Sequence, residues 1–407
     1  MSGPEDAGSI PATSTSRPVV VADLWSASRR AAMFSGRDPR TPVRPAWIWW
    51  AAVRWCPGGP RPGPPGASLR EPRGRDLLAV RPLVPGVPHA AALLGEGSEV
   101  LGFDDEVSPD HDFGPRVQLF VPPGFDTEPV NVTLERLPAR FEGFPVIYPD
   151  SDRHDGRPHH QVEVTTTRAF FVDRLGVDPA DGMGLADWLL APTQILASLT
   201  GGVVLHDPLA LLTARRRALA WYPDDVWRYV LAAGWLRVSQ EEPFVGRAGG
   251  RDDDLGSRVL AARVARDLAR IGFLLECRWA PYNKWLMTAF AQLALGGQVG
   301  RYLHRALRAM RWREREAALC AAASHLADVT NRLGLAEPVD PAPRRFHTRD
   351  IQILGADRLT RALTDAISDP QLRALLTGFG HRPDGLLGHL PGASGRLAAW
   401  LMTVHAE

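Results

Sequence analysis

The sequence predicts an α+β protein in which a small mixed β-sheet is followed by an α-helical domain. Short runs of β-branched and apolar residues, separated by Gly and Pro, fill the stretch up to about residue 190. Beyond it, apolar residues recur at three- and four-residue steps, which indicates helices. Residues 1–76 show neither period and are crowded with Pro, Gly and Arg, so we expect a disordered or mis-assigned extension. The predicted domains are therefore 77–190 and 191–407.

The predicted strands of the first domain are short. An apolar run at 89–94, the segment 117–121 and the β-branched segment 161–167 are each typical of a strand. Residues 130–134 alternate and are also predicted to be a strand. The Pro-, Asp- and Gly-rich stretch 141–157 indicates a loop.

The second half is predicted to be mainly helical. Asp224 or Asp225 is a candidate N-cap, and Pro281 fits the first turn of a helix. The arginines at 215–217 are expected on a solvent-exposed helix face. The predicted helices are 210–220, 224–240, 251–277, 283–294, 299–333 and 360–376.

The charge balance restricts the partners. The chain has 47 Lys and Arg against 46 Asp and Glu, a net charge of +1. A long nucleic-acid interface needs a dominant basic face, so the charge balance argues against a nucleic-acid ligand. The same balance is compatible with a local basic pocket for a triphosphate. The cysteines Cys56, Cys277 and Cys320 lie far apart and fit free thiols in a reducing compartment. We find no signal-peptide pattern or membrane span and expect a cytoplasmic protein.

Two aspartates carry the chemistry we consider most informative. Asp110 and Asp112 are two residues apart, so in an extended strand their side chains project from the same face. Neighbouring carboxylates repel unless a cation lies between them. Mg²⁺ prefers oxygen ligands at about 2.0–2.1 Å and combines carboxylates with substrate phosphates. The alternative is a solvated edge segment with turn-forming aspartates, which Pro109 and Pro115 would also suit.

Two further elements complete the predicted site. Gly97 and Ser98 follow the first apolar strand, where glycine allows close approach of a phosphate and serine adds a hydroxyl and an amide. Ser98 could instead be a simple helix cap. Glu163 is the central residue of a Val-Glu-Val strand and is our third metal ligand, although an exposed strand face also tolerates Glu. Three carboxylates could hold two Mg²⁺ ions about 3.5–4 Å apart.

The order of these motifs resembles the DNA polymerase beta-like nucleotidyltransferase superfamily. The resemblance rests on an apolar-Gly-Ser turn, an Asp-x-Asp after an interval of eleven residues and an acidic residue in a following strand. It implies Mg²⁺ binding by Asp110, Asp112 and Glu163, and binding of nucleotide phosphates by the Gly97–Ser98 turn. A closer resemblance, from about residue 77 to the C-terminus, is to the family called domain of unknown function 4037. Segments such as SPDHDFGPRVQLF, HHQVEV and RVARDLARIGFLLECRWAPYNKW carry it.

Two basic residues of the helical half are further candidates for binding the triphosphate. Lys284 lies among apolar and aromatic residues, where its stem could pack on Trp while its head enters a cleft. The sequence is equally compatible with Lys284 being an ordinary surface lysine that packs on an aromatic residue. Arg247 follows Phe-Val-Gly in what the glycines suggest is a loop.

The sequence therefore predicts an enzyme that transfers a nucleoside monophosphate from a nucleoside triphosphate, such as ATP, to a hydroxyl group. Because no basic stripe suggests DNA or RNA, a small-molecule acceptor is the first expectation. Positioning and charge neutralisation would supply most of the catalysis. The alternatives are a non-catalytic nucleotide-binding module and a protein-modifying, toxin-like nucleotidyltransferase.

Overall fold

The computed structural model describes residues 88–103, 116–135, 137, 140–141, 144–145, 147–149 and 158–373. The predicted extension 1–76 and the predicted ligands Asp110 and Asp112 lie outside these residues.

The centre of the first half is a four-stranded mixed sheet with the order β7-β2-β1-β8. Its strands are β1 (Ala90–Leu93), β2 (Val117–Phe120), β7 (Val162–Thr165) and β8 (Val203–His206). Strand β1 pairs antiparallel with β2 and β8, while β2 pairs in parallel with β7. The predicted strands at 89–94, 117–121 and 161–167 are thus confirmed, apart from their ends.

Three small antiparallel pairs lie outside this sheet: β3 (Arg140–Phe141) with β4 (Phe144–Pro145), β5 (Ile147–Pro149) with β6 (Pro158–His160), and β9 (Arg344–Arg345) with β10 (Gln352–Ile353). The first two pairs fall largely within the stretch 141–157, which we predicted to be a loop. That prediction was incomplete, because turn-forming residues also connect short hairpin strands.

The two faces of the sheet have different coverings. Alternate residues of a strand point to opposite faces, and Val117 and Leu119 join the cluster that contains Val130 and Leu134 of helix α1 (Glu128–Leu134). Phe120, one residue along from Leu119, belongs instead to the large core shared with the helical half. Glu163 pairs with Gln118 in the parallel register and therefore lies on this second face.

Two sequence predictions about the first half were wrong. Residues 130–134 form part of helix α1, because Pro129 suits a first helical turn and the apolar residues Val130 and Leu134, four apart, face the sheet together. Strand β8 was missed within a stretch predicted to be helical. It supplies an edge of the sheet, although it follows the predicted domain boundary at 190/191, a division that stays a prediction.

The remaining helices follow in chain order: α2 (Thr167–Leu175), a 3₁₀ turn (Pro179–Asp181), α3 (Leu185–Leu190), α4 (Thr193–Thr200), α5 (Leu211–Ala218), α6 (Asp224–Gly249), α7 (Asp254–Leu275), α8 (Leu286–Phe290), α9 (Gly296–Arg308), α10 (Trp312–Arg332) and α11 (Asp357–Asp365). Together with the mixed sheet they confirm the predicted α+β class.

Helices α6 and α7 are antiparallel neighbours at the centre of the helical half. Trp227 near the start of α6 donates its indole N–H to the carbonyl of Leu274 near the end of α7 (3.0 Å). Helix α6 runs through Pro243 to Gly249, beyond the predicted end at 240. Burial of its last turns outweighs the hydrogen bond that proline removes.

Candidate functional site: a glycine turn held by arginines and aromatic residues

The turn after β1, residues 95–103, is the centre of the candidate site. Gly95, Gly97 and Gly102 have φ values of 88°, 125° and 75°, which strongly favour glycine. The Phe103 N–H donates to the Ser98 carbonyl (2.9 Å) and closes the second part of the turn. The N–H groups of Gly97 and Ser98 donate to no acceptor within the described residues. Free N–H groups in a glycine turn are suited to anionic oxygens.

The turn is close-packed around Gly97. An added Cβ atom at this position would lie less than 3.0 Å from Arg116 Nη2 and from both carboxylate oxygens of Glu99. Arg116 Nε donates to Glu99 Oε1 (2.6 Å), and its Nη2 also bonds the carbonyl of Glu96. Glycine at position 97 is therefore favoured by its φ angle, and a side chain there would also force the ends of Arg116 and Glu99 to move.

Glu163 lies beside the same turn, through a second arginine. Both of its carboxylate oxygens accept hydrogen bonds from Arg174, at 3.3 Å from Nη1 and 3.2 Å from Nη2. Arg174 Nη2 is also 3.8 Å from a carboxylate oxygen of Glu96, and its guanidinium packs near Gly95. The Glu163 side chain is 38% exposed, so it remains accessible to solvent.

Gln118, the register partner of Glu163, anchors the start of the turn. Its Oε1 accepts the N–H of Leu94 at 2.8 Å, and Gln118 itself is buried. A buried side-chain amide that bonds the backbone holds the end of β1 in place, because breaking the bond would leave a buried polar group unpaired.

The helical half contacts the turn through aromatic residues. The Ser98 hydroxyl accepts the indole N–H of Trp285 (2.9 Å) and lies 3.1 Å from the Tyr282 hydroxyl. The ring of Phe103 stacks on Trp285 with centroids 5.5 Å apart. The exposed Lys284 places its Nζ 5.0 Å from the centroid of the Trp285 ring. The structure therefore brings Gly97, Ser98 and Lys284 together.

Arg247 lies elsewhere. The residues around it form the last turns of helix α6 rather than a glycine-rich loop, and its guanidinium lies 4.9 Å from the Phe244 ring centroid. Trp227, next to the end of α7 that leads to Tyr282 and Trp285, is twenty residues earlier in the same helix. At about 1.5 Å per residue the separation is about 30 Å. The structure does not bring Arg247 to the turn.

Five residues that hold the turn were not among the predicted site residues: Arg116, Gln118, Arg174, Tyr282 and Trp285. The position of Arg116 directly before β2 was a weak signal. The pairing of Arg174 with Glu163 had none, because it depends on how helix α2 packs on the sheet.

The described residues do not by themselves fit a magnesium site. Glu163 has the right chemistry, but Arg174 engages both of its oxygens. Within the described ranges, no three His, Cys, Asp or Glu side chains form a group that could hold a metal ion. The predicted roles of Asp110, Asp112 and Glu163 as ligands stay predictions.

The helical half also provides the match to known proteins. The model of the family described as Domain of unknown function (DUF4037) matches residues 188–286. The predicted family resemblance is confirmed there. The DUF4037 segment contains strand β8, helices α6 and α7, and the residues Tyr282, Lys284 and Trp285 that lie at the glycine turn. Beyond this segment the resemblance predicted from residue 77 onward stays a prediction.

Among solved structures, a nucleotidyltransferase-like protein from Exiguobacterium sibiricum 255-15 is similar to this chain. The two are 10% identical, the alignment covers 72% of this chain and 86% of that chain, and the TM-score is 0.29. No curated protein matches the chain. Within the described residues, no helix is both long and apolar enough to cross a membrane.

Proposed function

We propose that this chain is a nucleotidyltransferase that binds a nucleoside triphosphate at the Gly97–Ser98 turn and transfers the nucleoside monophosphate to a hydroxyl group of a small molecule. In the reaction the hydroxyl oxygen forms a bond to the α-phosphorus. The bond between that phosphorus and the oxygen bridging to the β-phosphorus breaks, and pyrophosphate leaves. The hydroxyl proton goes to solvent water or to the Glu163 carboxylate.

One observation carries the proposal. The N–H groups of Gly97 and Ser98 are free of acceptors in the described part of the chain, in a turn whose φ angles require glycine. Next to the turn, the exposed Lys284 lies over Trp285, whose indole bonds Ser98. Backbone N–H groups and a nearby cation are the groups that bind and orient phosphate oxygens. Fixing the triphosphate in this way supplies the positioning on which phosphoryl transfer depends.

Magnesium would supply charge neutralisation at the phosphates if Asp110, Asp112 and Glu163 held it. Glu163 would join such a site only if Arg174, which bonds both of its carboxylate oxygens, shared it with the ion.

A specific observation favours a second candidate, a nucleotide-binding module without catalysis. A carboxylate that pairs with an arginine through two hydrogen bonds is fixed in place, and Arg174 would have to release or share Glu163 before a metal ion bound there. A module that only binds nucleotide would keep this ion pair intact.

The decisive experiment incubates the protein with labelled ATP, Mg²⁺ and a metabolite extract, and identifies products by mass. We expect a new nucleotidylated small molecule and release of pyrophosphate, both lost in Asp112→Ala. Tight ATP binding without pyrophosphate release would favour the non-catalytic module. Label on proteins of a cell extract would favour the protein-modifying alternative. Equal turnover in Asp112→Ala and the parent protein would refute the metal assignment.

A further inference from the structure

A partly buried arginine that has no carboxylate partner among the described residues lies near the candidate site. Arg270 is in the last turns of helix α7, and its Nη2 is 3.4 Å from Asn283 Oδ1. No carboxylate of the described residues forms an ion pair with it. Burial, together with repulsion from Arg266 and Arg237, lowers the pKa of Arg270, while Asp267 opposes this effect. A charge in such surroundings costs folding free energy, which suggests that it serves a ligand.

The described charged side chains near Arg270 form ion pairs with one another and not with Arg270. Arg237 Nη2 and Arg266 Nη2 both pair with Asp267, at 3.2 and 3.3 Å. Arg263 pairs with Glu241. Among the described residues, these pairs use two carboxylates, Asp267 and Glu241, and neither forms an ion pair with Arg270.

This surface adjoins the glycine turn. Asn283, which accepts the hydrogen bond from Arg270, is followed by Lys284 and by Trp285, whose indole bonds Ser98. Because consecutive Cα atoms are about 3.8 Å apart, the Cα atoms of Asn283 and Trp285 lie at most about 7.6 Å apart. The residue that contacts Arg270 and the residue that contacts Ser98 are therefore close neighbours, and Lys284 lies between them in sequence.

We propose that Arg270, with Lys284 and the Asn283 side-chain amide, binds a phosphoryl group of a substrate. The guanidinium fork binds two phosphate oxygens at once, the ammonium adds a second positive charge, and the Asn283 bond orients the fork. The inference rests on the proposed function, and it specifies a phosphoryl group as the chemical group that Arg270 binds. The group is either the end of the triphosphate or a phosphate carried by the acceptor.

The test is calorimetric titration of the full chain with inorganic phosphate and with ATP at low salt. Arg270→Gln should weaken binding of the phosphoryl ligand about tenfold, and Arg270→Lys, which keeps the charge but loses the fork, by less. Arg258→Gln is the matched control. It lies on the same helix, twelve residues and about 18 Å away, and pairs with Asp254. Its affinities should match those of the parent protein.

Two further titrations distinguish whether the phosphoryl group belongs to the acceptor or to the nucleotide. If phosphate binds to the ATP-saturated protein and Arg270→Gln weakens that binding, the site takes a phosphate of the acceptor. If phosphate competes with ATP, and Arg270→Gln weakens ATP but not adenosine, the site takes the nucleotide tail. Parent-like affinities of Arg270→Gln for both phosphate and ATP would overturn the inference, as would equal losses in the Arg258 control.

Failure of the inference and failure of the proposed function give different results. Arg270-dependent binding of phosphate by a protein that does not bind ATP would support the inference and refute the nucleotide site. ATP turnover that is unaffected by Arg270→Gln would refute the inference alone. Thermal melting checks the fold of each variant. Because Arg270 is only partly buried and forms no ion pair with a described carboxylate, Arg270→Gln and Arg270→Met should melt close to the parent temperature.

Discussion

Replacement of Gly97 by alanine tests the candidate site most directly. A residue with a side chain at φ of 125° is strained by about 1–3 kcal/mol. The added Cβ atom would also force the ends of the Arg116 and Glu99 side chains to shift, since both lie less than 3.0 Å from it. Weakening of that partly buried ion pair adds up to about 1 kcal/mol. We therefore expect Gly97→Ala to lower the free energy of unfolding by about 1–4 kcal/mol. The displaced turn should also weaken ATP binding by at least tenfold.

Gly124 provides the matched control. It also has a positive φ, 77°, but an added Cβ atom there would meet nothing within 4 Å. Gly124→Ala should therefore show backbone strain alone, about 1 kcal/mol, and bind ATP like the parent protein. Urea denaturation measures the stability of the two variants, and calorimetric titration measures their affinity for ATP. Equal stability losses in the two variants, with parent-like ATP affinity in Gly97→Ala, would refute the assignment of the turn.

Three further predictions concern contacts around and beyond the site. Trp285→Phe should lower the free energy of unfolding by about 1–3 kcal/mol, measured by urea denaturation, because it removes a donor from the Ser98 hydroxyl. Arg215→Met should cost about 3–5 kcal/mol in the same assay, since it leaves the buried Asp178 carboxylate without its closest cation. Burial raises the pKa of Glu316 to about 7. Its contribution to stability is therefore complete below about pH 4.3 and lost as the pH rises through 7, and Glu316→Gln should flatten this decline.

The Trp285 and Arg215 predictions each have a control variant. Trp285→Leu removes the ring as well, so a loss equal to that of Trp285→Phe would mean that the hydrogen bond and not the packing dominates. For the ion pair, Arg168 is also near Asp178 but mostly exposed, and an Arg168→Met loss as large as that of Arg215→Met would contradict the prediction.

The pH prediction concerns the slope of stability against pH. The rise in the pKa of Glu316 from about 4.3 to about 7 sets an upper bound of about 4 kcal/mol for one carboxyl group. Burial also raises the pKa of Glu242 to about 7, so Glu316→Gln should keep part of the slope. Urea denaturation at pH 5 and at pH 8 measures it. A variant whose slope equals that of the parent would show that Glu316 titrates normally.

The sequence determined the fold class because burial on one face of a strand or helix leaves a local period in the chain. The apolar run at 89–94 and the β-branched run at 161–167 became β1 and β7. The three- and four-residue spacing of 251–277 became helix α7. The glycine turn after β1 was also identifiable, since Gly95 and Gly97 lie within four residues of the end of a buried strand and few other residues adopt their backbone conformations.

Predictions from local sequence patterns were wrong where a segment was compatible with both a helix and a strand. In these segments tertiary packing determined which of the two formed. Residues 130–134 alternate as a strand does, yet they form helix α1, because Val130 and Leu134 also fit one helical face against the sheet. Strand β8 was missed for the same reason. A run of only four residues, Val-Val-Leu-His, is compatible with a helix or a strand, and pairing with the edge of β1 determined that it forms a strand.

Only the tertiary structure decided which polar groups pair. The arginines at 215–217 were predicted to face solvent, yet Arg215 binds the buried Asp178 and Arg216 donates to carbonyls at the end of helix α4. Ser98 meets Trp285 across 187 residues of sequence. Such partners leave no signal in the local sequence. The free energy of a charge or a hydroxyl depends on the groups around it, and the tertiary fold brings those groups from distant parts of the chain.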